Sequence, residues 1–126
     1  MLANQAQACD KVVLVISQSA ANTAAASSSG TYLDVRKYEG DLSFIFNVGA
    51  ITGSVAPDIQ DATDTAGTGT ASVVPIEGAY TNLTANTIRV YTIPAGAVRG
   101  FIRVINTVTT GPVLISVTMM GHPKYV

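Results

Sequence analysis

The sequence predicts an all-β protein: a single-domain β-sandwich, jelly-roll-like, with an irregular N-terminal arm. Three observations carry this expectation. Val and Ile together number 25 and Thr 15, against six Leu, and two substituents on Cβ suit a pleated sheet better than a helix. Short apolar runs with period-two stretches recur from Thr31 onward, separated by Gly, Pro, Asn and Asp. Many of the 17 Ala cluster in residues 20–30 without a large apolar face, so they do not make an amphipathic helix.

In chain order, Val12 to Ser17 is a possible first strand, and Ala20 to Gly30 reads as an Ala/Ser-rich linker or adaptable arm. Residues 1–30 thus form the arm and 31–126 the sandwich domain. Tyr32 to Lys37 is a strand closed by the turn Glu39-Gly40-Asp41. In Leu42 to Val48, the residues Leu42, Phe44, Phe46 and Val48 share one face. Ser54 to Asp61 puts Val55 and Ile59 together, and Pro57, lacking a backbone donor, assigns this strand to an edge or a bulge. Ala62 to Thr70 is small and polar, as expected of a long exposed hairpin tip. Ala71 to Ile76 and Thr87 to Ile93 follow as strands, with a short strand or irregular turn in residues 77–86. After the turn Pro94-Ala95-Gly96, Val98 to Thr107 and Val113 to Met120 carry apolar residues on both faces. They are central strands, or strands covered by a second layer. The total is seven or eight short strands and no helix.

Charged residues make up 12% of the chain, about half the usual ~25%. Such a surface is expected to be covered by a partner. Seven Lys+Arg against eight Asp+Glu leave a net charge of -1, with no global field to attract nucleic acid or an anionic membrane. Cys9 is the single cysteine, so no disulfide forms within the chain and a reducing compartment fits. Met1 to Ala8 has no basic or apolar signal region. The longest apolar runs fall far short of the ~20 residues that cross a bilayer.

Catalytic chemistry finds little support, and no enzyme activity, cofactor or metal site is expected. His122 is the only histidine, and nothing nominates the third group that a Ser-His-Asp arrangement needs. Asp58, Asp61 and Asp64 offer carboxylates for Ca²⁺, but their spacing does not match the helix-loop pattern and no Glu closes the site; a solvated hairpin is the simpler reading. Gly67-Thr68-Gly69 and Gly96 to Gly100 are turn glycines, since neither opens a helix with Lys-Ser/Thr. Arg99 and Arg103 bracket Phe101, with Arg103 and Phe101 on one strand face. Arg and aromatic residues are enriched at protein interfaces, although a core Phe with arginines reaching solvent would show the same pattern.

From Tyr32-Leu33-Asp34-Val35 through Tyr38 to Gly53, then Pro57-Asp58-Ile59-Gln60-Asp61, the sequence resembles small virion proteins of tailed bacteriophages. Arg99 to Asn106 and Val113 to Gly121 look like the final hairpin of that group, so the resemblance spans roughly Thr31 to Gly121. It implies a sandwich that self-associates, commonly as a homotrimer, and binds the major capsid protein on the outer capsid surface as a cement or decoration protein. Such a protein would be made in the host cytoplasm and end in the virion, with no nucleic acid or membrane partner. The candidate assembly contacts are Leu2, Ala3, Asn4 and Gln5 in the arm, with Arg99, Phe101 and Arg103 in the domain. Competing readings are a head-tail or fibre component, a carbohydrate- or receptor-binding sandwich, a small jelly-roll hydrolase and a nucleic-acid coat protein.

Overall fold

A computed structural model describes residues 12–16, 26–29, 31–109 and 113–123. Nine strands are present there: β1 Val12–Ile16, β2 Ala26–Ser29, β3 Leu33–Asp34, β4 Tyr38–Ile51, β5 Val55–Ala62, β6 Ala71–Ser72, β7 Thr87–Pro94, β8 Phe101–Val108 and β9 Val113–Pro123. A single 3-10 turn, Ala95–Ala97, separates β7 from β8. The strands form two antiparallel sheets, one of four strands in the order β1-β9-β4-β7 and one of five in the order β2-β8-β5-β6, with β3 also on β8.

Alternation builds the core. Leu42, Phe44, Phe46 and Val48 of β4 are fully buried, as the period-two pattern predicts, and so are Ile93 of β7 and Val117 of β9. They join Val55, Ile59, Ile102, Val104 and Val108 of the other sheet in one hydrophobic cluster. Burying each large side chain contributes about 1.5–3 kcal/mol, and the pair Phe46–Tyr91 meets edge to face at 5.7 Å, the geometry aromatic quadrupoles favour. The expected two-layer β-sandwich is the observed architecture.

Several local expectations need correction. The turn expected at Glu39-Gly40-Asp41 lies inside β4, where the pairing with β9 shifts register between Glu39 and Ser43. Gly40 takes φ +72° there, a left-handed conformation that glycine adopts without Cβ strain. A bulge and a turn call for the same residue. Tyr32 to Lys37 yields only the two-residue β3. Within the Ala/Ser-rich stretch, Ala26–Ser29 is a strand that pairs with Val108–Ile105 of β8; backbone hydrogen bonds to a neighbour do not require an apolar face. Ala71 to Ile76 contributes only β6, because Pro75 cannot donate and the chain leaves for the other sheet. The most consequential correction concerns β8 and β9, which are not a hairpin. β8 is central to the five-stranded sheet and β9 to the four-stranded one.

Pro57 behaves as expected. The Val55 N–H donates to Leu83 O and the Ile59 C=O accepts from Val73 N on the side of β5 away from β8. By strand parity the Pro57 nitrogen faces that same outer edge, where no ladder bond is lost.

Residues 73–83 close this side of the sandwich. Val73 bonds to β5, Ile76 N–H donates to Thr92 O of β7 at 2.8 Å, and Leu83 returns to Val55. The Glu77 carboxylate caps the Thr92 N–H at 2.8 Å, which draws its pKa below the usual value. Tyr80 donates to Val73 O at 2.5 Å, and burial pushes its phenol pKa up.

Candidate interaction surfaces

The two sheets present unlike outer faces. On the five-stranded sheet, Phe101 and Arg103 of β8 face outward beside Ala62 and Gln60 of β5. Arg103 Nε and Nη2 donate to Gln60 Oε1 at 3.2 and 3.0 Å, and its guanidinium lies 4.7 Å over the Tyr32 ring. Gln60 Nε2 in turn donates to Asp58 Oδ2, which also accepts from Ser72 Oγ. Tyr32 meets Thr70 through their hydroxyls. Arg36 covers Phe101 at 4.9 Å and pairs with Asp34 through Nε and Nη2 at 2.9 and 2.7 Å. These bonds hold the Asp34 carboxyl at a pKa of about 2. This face is a network of mutually satisfied groups.

Arg99 stands apart from that face. Its backbone N–H and side chain converge on Asp61, with Nη2 to Oδ1 at 2.7 Å, and Nη2 also reaches Gly69 O. Asp61 is buried, and the Arg99 hydrogen bonds outweigh desolvation and lower its pKa. The pair ties the hairpin tip to the sheet end. The structure therefore brings Phe101 and Arg103 together as expected and directs Arg99 elsewhere. Phe101 is neither a core residue nor bare, since it lies half-buried under Arg36. Leu2, Ala3, Asn4, Gln5 and Cys9 lie outside the described residues.

The three spaced aspartates serve three separate ends. Asp58 joins the Gln60 network, Asp61 holds Arg99, and Asp64 accepts from Ala66 N, Thr68 N and Thr68 Oγ1 to shape the hairpin tip. His122 is exposed, with Nδ1 3.5 Å from Glu39 Oε1. Tyr80 and Tyr91 meet edge to face at 4.9 Å. Tyr91 is turned into the core, with its hydroxyl accepting from Thr81 N.

The four-stranded sheet has a different outer face. Ile45 of β4 lies beside Val90 of β7 and Thr118 of β9, and Asn47 beside Ile88 and Ser116. Ile88 is 62% exposed, Leu114 47%, Val90 42% and Met120 38%. Ser43, Asn47, Thr92, Ser116 and Thr118 fill the rows between them, and no charged side chain interrupts these rows among the described residues. Asn47, Gly49, Leu114, Ile115 and Ser116 line a shallow depression of about 310 Å³ on this face. None of these apolar residues is among the expected contacts, although the two-faced apolar pattern of β9 is their signal.

Together these features define a small antiparallel β-sandwich with one internally satisfied polar face and one partly apolar face whose rows from Ser43 to Gly49 carry no charge, the exposed Asp41 standing at its end. No family model and no curated protein matches the sequence. Among solved structures, the crystal structure of PirA is similar at a TM-score of 0.53 over 80% of this chain and 87% of that chain, with 11% sequence identity. Likeness at that level extends to the fold alone.

Proposed function

We propose that this chain is a non-enzymatic structural protein that works by burying the partly apolar face of its four-stranded sheet, acting as a cement on the outside of a tailed-phage capsid. The observation that carries this reading is the face of β4, β7 and β9 on which Ile45, Ile88, Val90, Leu114 and Met120 reach the surface without an intervening charge. Burying apolar area favours association, whereas charges at an interface core must first be desolvated. The low overall charge and the resemblance of Thr31 to Gly121 to tailed-phage virion proteins support the same reading. A subunit seated across neighbouring capsomers adds contacts that must break before the shell opens under the pressure of packed DNA. Because it binds the closed lattice, it stabilises that lattice by mass action.

The test is co-sedimentation with bare expanded heads assembled from the cognate major capsid protein. Saturable binding and a raised temperature of shell opening are expected. Leu114→Glu should weaken binding at least tenfold while leaving the melting temperature of the free protein within a few degrees, because Leu114 points away from the core. Absence of binding at saturating concentration would overturn the proposal.

A further inference from the structure

One stretch of sheet edge is left without the protection that the other described edges near it possess. Edge strands expose unpaired N–H and C=O groups and are normally blunted by proline, by short length or by a covering segment. β6 is two residues long, and β5 carries Pro57 and is covered by Leu83 and Val73. The end of β7 is covered at Thr92 by Ile76 and Glu77. The beginning of β7, residues 87–90, has none of these. Since the backbone groups of Thr92 point outward and the β4–β7 register is continuous, parity points the N–H and C=O of Val90 and Ile88 outward too. Among the described residues, no group bonds to them there. Both side chains are exposed and β-branched, a composition that favours strand pairing.

We infer that β7 pairs antiparallel with β7 of a second copy of this chain across a two-fold axis, joining two four-stranded sheets into one of eight. The edge is self-complementary in one register. Outward-pointing residues must face one another, which limits the central position of the axis to Ile88, Arg89 or Val90. An axis at Arg89 sets two guanidinium-bearing residues directly opposite, which is destabilising. An axis at Val90 sets Ile88 against Thr92 of the second copy, whose backbone groups are already bonded to Ile76 and Glu77. An axis at Ile88 avoids both. It sets Ile88 opposite itself, Val90 opposite Asn86, and Arg89 opposite Thr87, while the Arg89 guanidinium remains free to donate to its own Thr81 Oγ1 as it does at 2.8 Å. A closed isologous contact of this kind ends at the dimer and cannot run on into a fibre. It also continues the apolar face of Ile45, Ile88 and Val90 across the axis, so it extends the surface on which the cement reading rests while depending on a different set of atoms.

The test combines native mass by light scattering with amide hydrogen exchange on the full chain. A mass of two chains is expected at both low and high salt, because backbone bonds and apolar contacts are screened little. The amides of Ile88 and Val90 should be protected, and more so as protein concentration rises. Val90→Pro removes an outward N–H without touching the β4 ladder and should give a monomer. Ile88→Lys, which alters no backbone group, should weaken the dimer at least tenfold with the near-UV spectrum of the folded chain retained. A wild-type monomer, a trimer, or a dimer in which both amides exchange freely would overturn the inference. Protection that appears only on capsids would also overturn it, by assigning the edge to a strand of the shell protein. Capsid binding is measured separately, so a dimer that fails to bind shells refutes the cement reading and leaves the edge pairing standing.

Discussion

Asp61 shows how one buried carboxylate fixes a loop far from it in sequence. Its side chain is 7% exposed and takes three hydrogen bonds from Arg99, which hold its pKa below the ordinary carboxylate value. A carboxyl whose pKa is lower in the folded chain than the unfolded value of about 3.9 stabilises the fold fully above that value. That contribution is lost as pH falls through the folded pKa. Asp61→Asn should therefore cost about 1.5–3 kcal/mol at pH 7, the range for a hydrogen bond to a charged group, and flatten the acid side of the melting-temperature profile below about pH 4. Thermal melts from pH 2 to 7 on both proteins check this. The exposed pair Asp34–Arg36 is tighter in distance than in consequence, because solvent screens both partners. Gly121 acts through space rather than charge: a Cβ there would lie 2.9 Å from both Leu42 Cδ2 and Tyr38 Cδ1. Since Leu42 and Tyr38 are themselves buried, neither can move aside easily, and the glycine allows β9 to approach them.

At the scale of the element, the sequence was most legible where alternation is strict. Leu42 to Val48 has the buried face its pattern dictates, and residues 63–70 are the exposed hairpin tip between β5 and β6, whereas Ala62, expected in the tip, is the buried last residue of β5. Legibility failed where backbone geometry rather than side-chain pattern decides. Gly40 could serve a turn or a bulge, and only the cross-strand register with β9 distinguishes them. Ser27, Ser28 and Ser29 pair with β8 although they bring no apolar face. Outward Leu114 and Met120 look, in sequence, like the buried Ile115 and Met119 beside them, so the apolar face was legible only as a strand with two apolar sides. The hairpin tip owes its shape to Asp64, whose carboxylate gathers Ala66 N, Thr68 N and Thr68 Oγ1. Asp64→Ala should open residues 63–70 to limited proteolysis several times faster, while the melting temperature shifts by no more than about 2 °C, because the tip adds little to the core.

At the scale of the molecule, strand content was legible and sheet membership was not. Periodicity identifies a strand but carries no label for its neighbour, and successive strands usually lie side by side. β8 and β9 break that tendency by entering different sheets, each as a central strand. β9 separates β1 from β4, and β8 separates β2 and β3 from β5. A ribosome delivers these two strands after every strand they join. Until they emerge, β1 lacks its partner in one sheet, β2 and β3 lack theirs in the other, and the apolar faces of β4 and β5 have only part of their cover. Neither layer is complete before β8 and β9 are available. Both sheets then close through long-range pairings that form slowly, so early exposure of the apolar faces of β4 and β5 is built into the order in which this chain lists its strands.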